Sequence, residues 1–125
     1  MSGVAPRIAQ PMATSERGTV VRVPFPYTDR ATRQHRPALV VSAGGLGDGE
    51  QMLWVVMITS AANRIWPGDV PLIDDHLEAG LPVPSLVRTT KIATIESEQA
   101  DRLGSLPPGA WAKVEAALRD HLGLL

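Results

Sequence analysis

Short apolar runs separated by glycine- and proline-bearing loops fill the first part of the chain, and a single helical stripe ends it. Gly18-Thr19-Val20-Val21-Arg22-Val23 is rich in β-branched residues and predicts a first strand, which Pro24 and Pro26 are expected to stop. Pro37-Ala38-Leu39-Val40-Val41-Ser42 is nearly continuously apolar and predicts a buried strand with Pro37 at its first position. After the turn Gly44 to Gly49, Met52 to Ser60 forms the strongest strand signal, with Trp54 expected in the core. Asp69 to Ile73 predicts a short edge strand, and Asp74 to Ala79 one helical turn closed by Gly80. Ser85 to Ile95 predicts a fifth strand, with Leu86, Val87, Ile92 and Ile95 available for the core.

The period then changes. Pro108 suits the first position of a helix running to about His121. Trp111, Val114, Leu118 and Leu122 recur at spacings of three and four, opposite Lys113, Glu115, Arg119 and Asp120. Five short strands followed by one amphipathic helix predict a mainly β fold with a C-terminal helix (α+β), built as a small barrel or strongly bent sheet. Residues 1–15 mix Ala, Pro, Ser and Gly without a period and are expected to form a flexible N-terminal tail, leaving 16–125 as the domain.

Composition narrows the chemistry. A chain of 125 residues, 44% hydrophobic, fits one domain with a real core. The absence of cysteine excludes disulfides, thiolate nucleophiles and Cys-ligated zinc. His35, His76 and His121 are far apart in sequence, so neither a metal nor another cofactor is expected. No run approaches the ~20 apolar residues of a membrane span, and Met1 to Gln10 lacks a signal-peptide core; a cytoplasmic protein with no membrane partner is the expectation.

The net charge of −1 hides an uneven distribution. Six arginines fall between Arg7 and Arg36, against Glu16 and Asp29, whereas seven carboxylates fall between Asp69 and Asp101, against Arg88 and Lys91. The asymmetry is compatible with a phosphate-binding face and equally with ordinary surface variation.

The more specific signal is a set of short phrases in fixed order. Gly18-Thr19-Val20-Val21 leads into Val23-Pro24-Phe25-Pro26, followed by His35-Arg36-Pro37-Ala38-Leu39-Val40-Val41-Ser42 and Met57-Ile58-Thr59-Ser60. Ser85-Leu86-Val87-Arg88, Lys91-Ile92-Ala93-Thr94-Ile95 and Leu103-Gly104-Ser105-Leu106 complete it. From Glu16 to the C-terminus, this set resembles the MazF/PemK toxin family of type II toxin–antitoxin systems. The resemblance implies an SH3-like barrel of the PemK/CcdB type and a homodimer neutralised by a cognate antitoxin. It also implies metal-independent, sequence-selective cleavage of single-stranded RNA to a 2′,3′-cyclic phosphate and a 5′-hydroxyl.

By that resemblance Arg36, just before Pro37, matches the catalytic arginine, and Thr59, at the end of the third strand, matches the active-site threonine. A guanidinium supplies paired donors to a phosphate and a hydroxyl supplies one more, which is what a phosphorane-like transition state requires. Ser60 and Arg88 are expected to bind RNA or assist, with His35 a lesser candidate because strand neighbours face opposite ways. Phe25, Tyr27 and Trp66 are candidates for stacking on unpaired bases, with Arg64 beside Trp66.

Two positions depart from the pattern. Thr90 stands where PemK-like members carry an acidic residue, and Ala93 stands where many carry a second basic one, so the general base is unassigned. The competing readings are a degenerate member that binds RNA or antitoxin without cutting, and a CcdB-like gyrase poison.

Overall fold

The computed structural model describes residues 16–25 and 34–125. Strands β1 (Thr19–Phe25), β2 (Gln34–Val40), β3 (Met52–Ser60), β4 (Asp69–Leu72), β5 (Ser85–Glu96) and β6 (Asp101–Ser105) precede helix α1 (Pro108–Leu122). They form one antiparallel sheet in the order β4-β5-β3-β2-β1-β6, so β4 and β6 are its edges. The fold is a curled antiparallel sheet, a half-barrel, with one C-terminal helix. The expected tail, 1–15, lies outside the described residues.

The nearly continuous apolar runs reflect burial on both faces of the sheet. Val20, Leu39, Val56, Ile58 and Val87 pack on one face with Ala110 and Val114 of α1. Val21, Val23, Ala38, Val40, Val55 and Met57 pack on the other with Leu53, Ile95 and Ala100. Each valine, leucine or isoleucine removed from water contributes roughly 1.5–3 kcal/mol relative to exposure.

β3 matches its expected span, and β4 and β5 match within a residue. β1 and β2 differ. Pro24 does not end β1; it pairs with His35, and Phe25 pairs with Gln34. The prolines are tolerated because each strand has only one neighbour there. β6 stops pairing with β1 at Arg22, and β3 pairs with β2 only from Ala38. Hence β2 starts at Gln34, and Pro37 stands within it rather than at its first position.

A sixth strand was not expected. β6 is an edge strand with mostly exposed side chains, so it carries no apolar alternation to reveal it. Trp54 and Ile92, expected in the core, are 50% and 54% exposed. Trp54 shares its strand face with Val56 but lies beyond the part that α1 covers, whose helix contacts are with β4 and β5. α1 starts at Pro108 as expected and closes on Gly123, whose φ of 71° lets its N–H reach the last-turn carbonyls of Arg119 and Asp120. Leu122, the last residue of the expected stripe, is 71% exposed.

Residues 73–84 fold back beside β6 through two glycines. A Cβ on Gly80, where φ is +83°, would lie 2.2 Å from the Leu103 carbonyl oxygen, and one on Gly104 2.5 Å from that of Ala79. Gly80→Ala is therefore expected to lower stability by about 2 kcal/mol or more in urea unfolding, combining positive-φ strain with a backbone clash. Gly109→Ala, in open space on α1, is the control and should be neutral or stabilising by up to about 1 kcal/mol.

Candidate active site

The site begins with strands that part. β2 remains paired with β1 back to Gln34, and β3 with β5 out to Ser60, but the ladder between β2 and β3 ends at Ala38↔Met57. A pocket of about 370 Å³ occupies this fork. Arg36, Thr59, Ser60 and Arg22 line its polar side. Leu81, Pro82, Val83 and Leu103 line its apolar side.

Strand alternation explains the pairing of the two principal groups. Arg36 is two residues from Ala38, and Thr59 is two from Met57, so both belong to one sheet face. Arg36 is opposite Val23 in the β1 ladder, which anchors its backbone on a strand rather than in a loop. The apolar wall is fixed by the 73–84 turn, where the His76 Nδ1–H donates to the Leu81 carbonyl at 2.8 Å.

The loop between β3 and β4 is tied down at both ends. At the near end Asn63 N–H donates to Ser60 O (3.0 Å), Ala62 N–H donates to Ser60 Oγ (3.1 Å), and Asn63 Nδ2 donates to Thr59 Oγ1 (2.7 Å). At the far end the Arg88 guanidinium stacks on Trp66, 3.9 Å from the ring centroid. Its Nε donates to Asp69 Oδ2 at 3.3 Å, and its Nη2 donates to the Arg64 carbonyl. Asp69 Oδ2 also accepts from Trp66 N–H at 2.8 Å.

The structure thus brings together Arg36, Thr59 and Ser60, and places the other sequence candidates elsewhere. Arg88 is buried in the cluster with Asp69 and Trp66, so Trp66 covers a cation within the protein. Arg64 is exposed in the same loop. His35 is exposed and, as the residue just before Arg36 in β2, belongs to the opposite face of the strand. Thr90 is exposed within an irregularity of β5, where register jumps from Met57↔Arg88 to Val56↔Ile92. The Phe25 side chain and Tyr27 lie outside the described residues.

Arg22 and Asn63 are the polar groups that sequence reasoning missed. Arg22 was hidden inside a strand signal, although its polarity among valines marks it in retrospect. Asn63 belongs to no phrase of the resemblance, and only the turn reveals it. Among the described residues no group of three or more histidines and carboxylates converges as a metal site, and no helix is long and apolar enough to cross a membrane.

Comparison with solved structures finds the same fold repeatedly. A chain of the MazE–MazF complex from Deinococcus radiodurans matches with TM-score 0.69 and 24% identity, covering 90% of this chain and 99% of that one. An endoribonuclease in complex with its cognate antitoxin from a Mycobacterial species matches with TM-score 0.67 and 24% identity, over 91% and 98% of the two chains. MazF from D. radiodurans matches with TM-score 0.68 and 25% identity, over 87% and 96%. A search of curated protein sequences finds no match. Comparison with protein families matches residues 16–122, nearly the whole described domain, and the chain belongs to the PemK-like, MazF-like toxins of type II toxin–antitoxin systems.

Proposed function

We propose that this toxin is a metal-independent endoribonuclease that cuts single-stranded RNA at preferred sequences. The observation that carries the reading is the convergence of Arg36 and Thr59, from two separate strands, on one pocket. The 2′-hydroxyl of RNA attacks the adjacent phosphorus; the new O2′–P bond forms as the P–O5′ bond breaks, leaving a 2′,3′-cyclic phosphate and a 5′-hydroxyl. Arg36 stabilises the charge that develops on the phosphoryl oxygens, and the Thr59 hydroxyl donates to one of them. Arg22 also lines the pocket and supplies a further cation suited to a flanking phosphate, while Leu81, Val83 and Leu103 offer an apolar wall for an unpaired base. The proton acceptor is unassigned: Thr90 carries no carboxylate, and Asp29 lies outside the described residues.

The curled sheet is read as an SH3-like barrel of the PemK/CcdB type, within a domain spanning 16–125 and acting in the cytoplasm. Two copies assemble as a homodimer, and a cognate antitoxin blocks the RNA site. Membership of a toxin–antitoxin family and similarity to an endoribonuclease solved with its cognate antitoxin support the antitoxin as a partner.

Purified protein incubated with a long single-stranded RNA in EDTA is expected to yield discrete fragments bearing 2′,3′-cyclic phosphate ends. Intact RNA from folded protein would favour a non-cutting binder, and DNA breaks with intact RNA a gyrase poison.

A further inference from the structure

The geometry points to Asn63 as the residue that positions Thr59 for cleavage, an inference resting on the ribonuclease reading above. A threonine hydroxyl has one proton and two lone pairs, and its rotor is otherwise free. The 2.7 Å bond from Asn63 Nδ2 occupies one lone pair of Thr59 Oγ1. An O–H directed at that amide N–H would meet a donor, so the Thr59 proton turns away from Asn63. Thr59 lines the pocket that Arg36 also lines, where the reading places the phosphate.

The turn that carries this amide is itself held. The Ser60–Asn63 turn closes through Asn63 N–H to Ser60 O at 3.0 Å, Ala62 N–H caps Ser60 Oγ at 3.1 Å, and Ala61 N–H bonds Pro84 O at 2.9 Å. One residue beyond Asn63, the Arg64 carbonyl accepts from buried Arg88, which is gripped by Asp69 and Trp66. Arg88 thereby serves the site from a distance: it secures the loop that carries Asn63, and Asn63 secures Thr59. A preorganised donor costs little reorganisation at the moment of reaction, whereas a free hydroxyl rotor must be ordered then.

The test compares Asn63→Ala and Asn63→Asp, the second keeping the shape without the donor. Both are expected to lower kcat about tenfold with KM within about twofold of the unaltered protein. On a Thr59→Ala background, measured under single-turnover conditions, the same substitutions should change the rate less than about twofold, because the group they act through is gone. An undiminished effect on that background would show a merely structural role and overturn the inference. So would a loss confined to KM, or an Asn63→Asp protein with full kcat. Intact RNA with the unaltered protein is a different failure: it removes the ribonuclease reading, and the inference with it.

Discussion

Arg36→Ala is expected to lower the RNA cleavage rate by about 10³-fold or more while leaving the fold intact. Removing a single donor to a developing oxyanion costs about 10²–10³ in rate, and arginines that neutralise phosphoryl charge contribute 10³–10⁵. Arg36 belongs at the upper end of the first range because its planar fork presents two donors at once. Its backbone is anchored by the β1 ladder at Val23, so truncating the side chain leaves the strand pairing in place. The side chain is half-buried at the pocket rather than part of either apolar cluster, so little packing is lost. Arg36→Lys keeps the charge but not the fork, and should recover only part of the rate. Fragment formation in EDTA, beside thermal unfolding of each variant, checks both halves of the expectation. A folded Arg36→Ala protein that cuts at the normal rate would remove the pocket from consideration as the site.

Asp69→Ala is expected to destabilise the protein by about 3–5 kcal/mol, the cost of leaving a buried charge without its partner. The pair it breaks is inside the protein: the Asp69 side chain has no exposed area and the Arg88 side chain is 9% exposed. For a domain of this size the loss corresponds to a fall of about 10–20 °C in Tm. The cost does not measure how much the pair stabilises the fold. Asp69 Oδ1 is buried without a hydrogen-bond partner among the described residues, and burying two charges is itself expensive. Replacing both residues with apolar ones of similar volume should therefore cost much less than replacing Asp69 alone. Calorimetry on the single and double variants separates these terms. Since Arg88 also holds the Arg64 carbonyl and stacks on Trp66, the single variant should loosen the 61–68 loop as well. A Tm unchanged by Asp69→Ala would mean that the contact carries none of the proposed weight.

The strands with apolar runs were legible in sequence because burial leaves a compositional trace. Among them β3 and β5 emerged with nearly correct ends for that reason. β6 left no such trace, since an edge strand is held by backbone bonds to β1 that any sequence can make. Trp54 shows the converse. Its setting among Leu53, Val55 and Val56 reads as core, but whether a sheet face is covered depends on how far another element extends over it.

The same division runs through the candidate site. Arg36 and Thr59 stood out because they occupy fixed places in phrases that mark the family, one beside Pro37 and one at a strand end. Arg88 stood out equally, yet its guanidinium is spent on Asp69, Trp66 and the Arg64 carbonyl. A sequence phrase identifies a residue but not the direction in which its side chain leaves the sheet.

By itself, then, the sequence determined the elements whose local pattern is strong and the family, and it pointed to the two groups proposed for the site. Tertiary structure alone decided that β2 and β3 part to open a pocket, that Arg22 joins Arg36 there, and that Asn63 reaches Thr59. The physical reason is range. Burial and turn preferences act on neighbouring residues and are written in their order, whereas a pocket depends on where long-range pairing stops, which no single segment encodes.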